Sequence, residues 1–176
     1  MVLTMALNDK ESNYTKVETM RKKNEIQQKI KKILQSQLYG VLATSYKFQP
    51  FTSLLAFVAS EDLDYLYVAT GKTSHKFQNI IENEKVAFFI DTRSNDNFDV
   101  NTAYALTIFG KVKVIDKNNI TKIIKSYLLR HPQLDSFIHS KNVVFLQLAI
   151  SSFSFVEHFQ KVYLLERSNE EYNSIK

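Results

Sequence analysis

The segment TGKTSHK, residues 70–76, brings together the side chains of this sequence that most readily suggest chemistry. Hydroxyl groups stand just before or at the start of a helical pattern, and an imidazole and an ammonium group follow: Thr70, Thr73, Ser74, His75 and Lys76. The N-terminus of a helix adds free amides and a positive dipole end, which bind phosphate together with hydroxyl groups and cations. An ordinary N-cap uses the same residue types. The segment is therefore a candidate phosphate site, with a simple helix cap as the alternative.

Several motifs that carry well-known chemistry do not occur in the sequence. Neither glycine-rich phosphate loop, GxxxxGK(S/T) or GxGxxG, is present, which argues against mononucleotide kinases and Rossmann enzymes. The absence of cysteine excludes disulfides, thiolate metal sites and a cysteine nucleophile. The four histidines do not form HxxxH or HExxH, so no metal site is predicted. A single histidine could still ligate haem iron, and haem binding stays open as an alternative.

Length and composition indicate one globular domain without a membrane span. The 176 residues are 44% hydrophobic and 23% charged, close to the average for soluble proteins. The first residues become polar too soon for a signal peptide, and no apolar run reaches membrane-spanning length, so we expect a cytoplasmic protein. The net charge of +5 comes partly from lysines in segment 18–34. Nucleic-acid binding is the weaker interpretation of these lysines, because no aromatic stacking residues are interleaved with them.

Hydrophobic periodicity predicts the elements that position segment 70–76. Thr15 and Glu18 form a capping box, and the helix that follows carries an apolar stripe at Ile26, Ile30, Ile33 and Leu34. Strands are predicted at 38–44, 51–59, 64–70, 85–92, 103–116, 143–150 and 153–166, with a bend at Gly110. Further helices are predicted at 73–84, with Phe77, Ile80 and Ile81 on its apolar face, and at 119–132. A hairpin connection at 45–50 and a polar loop at 93–101 complete the pattern.

This order of elements predicts a mainly β fold with flanking helices. Short links join consecutive strands, which favours an antiparallel barrel over an alternating parallel sheet. We expect a loosely ordered N-terminus at 1–14, a single domain at 15–166 and a polar tail at 167–176.

The succession of motifs resembles the pyridoxamine 5'-phosphate oxidase-like family of FMN-binding split barrels. The matching stretches are GVLAT (40–44), PFTSLLAF (50–57), YVATGKTSHKFQNIIENEKVAFFID (67–91) and ALTIFGKVKVI (105–115). The resemblance covers roughly residues 36–166 and implies an antiparallel split β-barrel, a homodimer, and one FMN at each side of the dimer interface.

The resemblance also implies which residues bind the cofactor. Ser74, His75 and Lys76 match the run that holds the FMN phosphate, and Ala69 and Thr70 match the strand end beside the phosphate and the ribityl chain. The strand whose backbone borders the flavin ring corresponds to Thr52, Ser53, Leu54 and Leu55. Arg93 lies near the position of polar cofactor contacts, which the partner subunit could provide.

The departures from the family pattern argue against oxidation of vitamin B6. Strand 51–57 lacks the arginine and lysine of true pyridoxamine phosphate oxidases, and the C-terminal tail lacks their arginine–histidine pair. We therefore predict an FMN-dependent oxidoreductase of unknown substrate, in which hydride or electrons pass through the flavin. The alternative is a non-catalytic module of the same fold that binds a flavin or haem. The sequence does not separate FMN from the deazaflavin F420, since both present a phosphate and a tricyclic ring.

Overall fold

The computed structural model describes residues 20–158 and 160–167. The predicted N-terminal segment 1–14, the capping box at Thr15 and Glu18, and the tail beyond residue 167 lie outside these residues. The described helices are α1 (20–36), α2 (His75–Glu82), α3 (Asp99–Thr102), α4 (Thr121–Arg130) and α5 (Asp135–His139). The strands are β1 (Tyr39–Tyr46), β2 (Gln49–Ala59), β3 (Tyr65–Gly71), β4 (Lys85–Asp91), β5 (Ala105–Ile115), β6 (Val143–Glu157) and β7 (Lys161–Glu166).

The strands form one antiparallel sheet that closes on itself. Their order is β3-β2-β1-β4-β5-β6-β7, and β3 pairs in addition with β6, from Tyr65 opposite Ala149 to Gly71 opposite Val143. This pairing closes β1 to β6 into a six-stranded barrel and leaves β7 attached to β6. The predicted antiparallel barrel is therefore confirmed.

The barrel interior is filled by alternate side chains of all six strands. The largest of them are fully buried aromatic and aliphatic groups, among them Phe57, Phe88 and Phe155. Helix α1 adds its apolar stripe to the same cluster through Ile26, Ile30, Ile33 and Leu34. The stripe predicted from the sequence thus packs on the barrel core, and most lysines of this helix remain on its other faces.

A second, smaller core lies outside the barrel, where α4 and α5 cover the outer faces of β2, β3 and β6. Tyr127 of α4 is fully buried there, and its hydroxyl donates a hydrogen bond of 3.1 Å to the carbonyl of Ala56. His131, which follows α4, is also fully buried, and its Nε2 lies 3.0 Å from the carbonyl oxygen of Phe57. These contacts fix α4 against β2, one strand away from segment 70–76.

The C-terminal strands differ from the prediction in where they divide. The sequence suggested a break around the paired serines at 151–152, but β6 continues through them as a 15-residue strand. The strand continues because its register with β5 shifts by one residue at Phe109 and Gly110, and Ser151 Oγ donates a 3.0 Å hydrogen bond to the Phe109 carbonyl. A β-bulge therefore lies opposite the bend predicted at Gly110, and its extra residue is Ser151 of β6.

Three shorter segments also depart from the prediction. The connection at 45–50 is mostly strand and turns only at Lys47 and Phe48, whose φ values of 45° and 64° are typical of a two-residue hairpin. The polar loop at 93–101 contains the start of α3. Helix α2 is shorter than predicted, and its Ile81 is 61% exposed, so the predicted apolar face is carried by Phe77 and Ile80.

Among the described residues, none of the helices is both long and apolar enough to span a bilayer.

Candidate functional site

The junction between β3 and α2 holds the segment that the sequence singled out. Ser74 is the N-cap of α2, with extended φ and ψ of −77° and 148°, and its Oγ accepts a hydrogen bond of 3.3 Å from the Phe77 amide. Thr70 Oγ1 lies 3.0 Å from Ser74 Oγ. The cap of α2 is therefore Ser74 rather than Thr73, the other hydroxyl at the start of the helical pattern, and the buried Thr70 hydroxyl lies directly beside it.

The first turn of α2 keeps amide donors available. Within the described residues, the backbone N–H groups of His75 and Lys76 have no acceptor, as expected for the first turn of a helix. The turn contains no acidic side chain. The positive end of the helix dipole is therefore not neutralised by a neighbouring carboxylate, which is the arrangement that an anion requires.

A cleft of about 370 Å³ opens beside this junction. Its lining combines a polar corner with a larger apolar wall: Tyr39, Leu54, Leu55, Ala56, Ala69, Thr70, Gly71, Ser74, Lys76, Tyr127, Leu134 and Phe137. Lys76 is half-buried, and this burial lowers the pKa of its ammonium group. The cleft thus offers one cation and two hydroxyl groups at one corner, next to a surface suited to a flat ring.

Six of the ten predicted cofactor residues line this cleft: Leu54, Leu55, Ala69, Thr70, Ser74 and Lys76. The other four do not. Thr52 and Ser53 lie further along β2, and His75 is exposed with its ring 5.8 Å from that of Phe51. Arg93 lines a separate cleft of about 430 Å³, where its Nε lies 3.2 Å from Asp91 Oδ1.

The wall contributed by α4, α5 and the start of β1 was not predicted from the sequence. Tyr39, Tyr127, Leu134 and Phe137 all line the cleft. The only sequence signal for this wall is the helical spacing in segment 119–132, which places Tyr127 on the apolar face. That spacing indicates a buried face without indicating the strand against which it packs.

The cleft contains few groups for acid–base chemistry. In the described part of the chain, no Asp, Glu or His is among its lining residues. Its polar groups are hydroxyls, amides and the Lys76 ammonium, which donate hydrogen bonds to an anion. The arrangement can bind and orient a ligand with a phosphate and an apolar ring, and any redox chemistry would come from that ligand.

The described residues also offer little for binding a metal or a haem iron. They contain no group of three or more Asp, Glu or His side chains arranged around a common point. The imidazole of His131 is buried against the Phe57 carbonyl, so it does not face a cleft. His139 Nδ1 lies 2.9 Å from the Asp135 carbonyl oxygen.

The outer face of the sheet beside the cleft is rich in exposed apolar side chains. Leu54 on β2 is 70% exposed and Phe109 on β5 is 42% exposed, with Val41 and Phe89 half-buried between them. The strand register places Leu54, Val41 and Phe89 side by side across β2, β1 and β4. We call this surface, formed by Val41, Leu54, Phe89 and Phe109, the apolar sheet face.

Comparison with protein families identifies the class of this chain. A family model described as pyridoxamine 5'-phosphate oxidase matches residues 26–156. Because the match covers most of the sequence, the chain belongs to this family of split barrels. No curated protein matches the chain significantly.

Solved structures of low sequence identity share the fold. General Stress Protein 26 from Bacillus anthracis is 19% identical, with a TM-score of 0.60 over 81% of this chain and 98% of that one. A FAD-binding protein from Mesorhizobium loti is 18% identical, with a TM-score of 0.58 over 72% and 89%. A haem-binding protein from Mycobacterium smegmatis is 12% identical, with a TM-score of 0.67 over 76% of this chain, which spans only 55% of that protein.

Proposed function

We propose that this protein is an FMN-binding flavoprotein that acts as an oxidoreductase on a small-molecule substrate. The observation that carries the proposal is the cleft at the β3–α2 junction, where Ser74, Thr70 and Lys76 meet an apolar wall. This donor set fits FMN, which combines a phosphate dianion with a flat, largely apolar ring. Bound FMN would supply hydride or electron transfer, and the chain itself would supply binding and orientation.

Each part of the cleft has a distinct role in this proposal. The free amides of α2 and the Lys76 ammonium bind the phosphate, and the Ser74 hydroxyl keeps the first turn in place by accepting from the Phe77 amide. Leu54 and Leu55 border the ring on one side, and Tyr127 closes the cleft from α4. Apolar side chains on both sides exclude water from the ring.

A homodimer assembled through the apolar sheet face forms part of the proposal. Leu54 belongs both to this face and to the cleft, so a second copy packed on the face would also border the bound cofactor. Arg93 lies outside the cleft of its own protomer, and we assign its guanidinium to the cofactor of the other protomer. Exposed apolar patches of this kind mark interaction surfaces in soluble proteins.

The dimer is tested by introducing a charge into the apolar sheet face. Phe109→Arg is expected to give a monomer in sedimentation velocity at concentrations where the unmodified protein is a dimer. Leu129→Arg is the matched control, because Leu129 is 86% exposed on α4 and lies outside this face. A monomeric unmodified protein, or a Phe109→Arg variant that remains a dimer, would contradict this part of the proposal.

A non-catalytic module that binds a flavin or haem is the second candidate function. Its flavin-binding form is favoured by the absence of carboxylates and histidines from the cleft lining in the described residues, whereas the same absence counts against its haem-binding form. Reduction of bound flavin by NADH or NADPH in the presence of electron acceptors distinguishes the two candidates. Sustained turnover supports the oxidoreductase, and bound flavin without turnover supports the module.

The cofactor is tested first by the visible spectrum of the freshly purified protein. A yellow protein that releases FMN on denaturation, or a colourless protein that takes up FMN stoichiometrically, is the expected result. F420 is recognised by its own absorption, and a red-brown protein with an intense Soret band would place haem in the site instead. If the protein binds neither FMN, F420 nor haem, the hydroxyl groups of the β3–α2 junction serve only as a helix cap, and the proposed function is refuted.

A further inference from the structure

A second pocket, which we call the basic pocket, lies on the other side of segment 70–77 from the cofactor cleft. Its volume is about 640 Å³, within the range of roughly 300–1,000 Å³ that is typical of small-molecule sites. It is formed where the β3–α2 connection, the end of β5, the end of α5 and the start of β6 meet. Lys72 and Phe77 face this pocket, whereas Ser74 and Lys76 face the cofactor cleft.

Positive charge is concentrated in the basic pocket. Lys72, Lys117 and Lys141 all line it, with His139 at its edge. Lys117 is held in place, because its Nζ donates hydrogen bonds of 2.7 Å to the Ile138 carbonyl and 2.9 Å to the Ser140 carbonyl. Burial lowers the pKa of the Lys117 ammonium, and the positive charge of Lys72 lowers it further. The two lysines are therefore close enough to repel each other.

In the described part of the chain, these lysines lack ion pairs with carboxylates. Across residues 20–158 and 160–167, no ion pair involves Lys72, Lys117 or Lys141. Asp116 is the one carboxylate among the lining residues described, and it accepts a 2.9 Å hydrogen bond from the Asn118 amide. A bound anion would relieve the repulsion that the folded chain leaves in place.

Apart from Asn118 and Ser140, the rest of the lining is apolar and would contact a carbon-rich part of a ligand. Phe77, Val114, Ile115, Val143 and Val144 form this part of the surface. A pocket that joins cations to an apolar surface is typical of sites for organic anions, since the charge orients the ligand and the apolar contact adds affinity. Of the three lysines, Lys117 is held in place, and Lys72 and Lys141 are exposed at the pocket.

From this combination we propose that the basic pocket binds an anionic small molecule, in which a phosphate or carboxylate contacts Lys72, Lys117 and Lys141 while an apolar body lies against Phe77 and Val144. This site is separate from the cofactor cleft and does not depend on the proposed flavin function. Its position on the same connection as Ser74 and Lys76 means that a ligand there would contact the segment that holds the cofactor phosphate.

The test measures binding of phenyl phosphate, inorganic phosphate and phenylacetate to the full chain at low ionic strength. Amide chemical shifts in NMR locate each ligand, and calorimetry gives its Kd. We expect phenyl phosphate to shift the amides of 114–118 and 139–144 and to bind at least tenfold more tightly than inorganic phosphate, because only the former contacts the apolar surface. The phenylacetate arm distinguishes a carboxylate site from a phosphate site.

Charge removal assigns the binding to a pocket. The double variant Lys72→Ala/Lys141→Ala is expected to weaken phenyl phosphate binding at least tenfold and to leave FMN affinity within twofold. Lys125→Ala, an exposed lysine on α4, is the matched control and should change neither value. Lys76→Ala should weaken FMN alone.

Two results would overturn the proposal. One is the absence of binding of phenyl phosphate and phenylacetate at millimolar concentration. The other is phenyl phosphate binding that is lost in Lys76→Ala but kept in the double variant, which would assign it to the cofactor cleft. Failure of FMN to bind leaves the test of the basic pocket intact, because the shifts of residues 139–144 are measured without the flavin.

Discussion

Removal of the Lys76 ammonium should weaken FMN binding through the phosphate alone. The ammonium group is half-buried before any ligand binds, and burial already lowers its pKa, so much of its dehydration cost is part of the folded state. A hydrogen bond to a charged group contributes about 1.5–3 kcal/mol. Since about 1.4 kcal/mol corresponds to a factor of ten in Kd, Lys76→Ala should raise the Kd for FMN roughly 10- to 150-fold.

Riboflavin provides the internal comparison, because it carries the same ring without the phosphate. Titration of the apoprotein by quenching of flavin fluorescence gives the Kd of both ligands for the unmodified protein, Lys76→Ala and Lys125→Ala. We expect the loss in Lys76→Ala for FMN only, with riboflavin unchanged within twofold and Lys125→Ala unchanged for both. Circular dichroism and thermal unfolding show whether the fold is intact.

The reasoning would be refuted by either of two outcomes in a folded variant. An FMN Kd within about threefold of the unmodified value would show that Lys76 does not contact the phosphate. Equal weakening of FMN and riboflavin would show that Lys76 supports the shape of the cleft instead of binding the anion.

Three further predictions concern stability and are measured by chemical denaturation. Burial raises the pKa of the Tyr127 hydroxyl to about 12, so its contribution to the free energy of unfolding is complete below pH 10 and is lost as the pH rises towards 12. Tyr127→Phe should remove this alkaline loss and lower the free energy of unfolding by about 1 kcal/mol at neutral pH. Glu157→Gln should destabilise the fold by about 3 kcal/mol, because a buried carboxylate that lies 2.6 Å from the Lys29 ammonium is replaced by a neutral group. The exposed control Glu25→Gln should cost under about 1 kcal/mol. Gly110→Ala should cost about 1–3 kcal/mol or more, since its Cβ would overlap the carbonyl oxygen of Ala149 in β6, whereas a Cβ at the control position Gly71 would enter open space. Equal stability of the two alanine variants, or of the two glutamine variants, would contradict these contacts.

The carboxylate of Glu157 adds a dependence on acid to the second of these predictions. Burial tends to raise the pKa of Glu157, but the hydrogen bonds from Lys29 and Tyr163 outweigh it, and the pKa is lowered. The stabilisation is therefore present above the ordinary pKa of a glutamate and is lost as the pH falls below it. Denaturation of Glu157→Gln between pH 3 and 7 should show a weaker loss than the unmodified protein.

The barrel was predictable from the sequence wherever one local pattern decided an element. The spacing of Ile26, Ile30 and Ile33 defined the buried face of α1, and the hydroxyl groups of Thr73 and Ser74 indicated the start of α2 to within two residues. Local patterns failed where a partner strand decided the outcome. The serines at 151–152 resemble a break, yet pairing with β5 keeps them in β6, where Ser151 is the extra residue of the bulge.

The candidate site was predictable in the part that is contiguous in the sequence. Ala69, Thr70, Ser74 and Lys76 follow one another along the chain, and the structure brings them to one cleft. The wall from α4 was missed because contact between Tyr127 and Ala56 joins residues far apart in sequence. The basic pocket was missed for the same reason, since its three lysines come from three separate connections.

The pairing of β3 with β6 also bears on how the chain folds. The strand pairs β1–β2, β2–β3, β4–β5 and β5–β6 of the barrel join strands that follow one another in the chain. In contrast, β3 must meet a strand more than seventy positions further along, as in Tyr65 opposite Ala149. Closing so long a loop costs chain entropy before the contacts between β3 and β6 can offset that cost, and this slows folding. The end of β3 lines the cleft at the β3–α2 junction, and Lys72, directly after β3, lines the basic pocket. Ligands bound at these two places would therefore stabilise the closed barrel relative to open states that lack the sites.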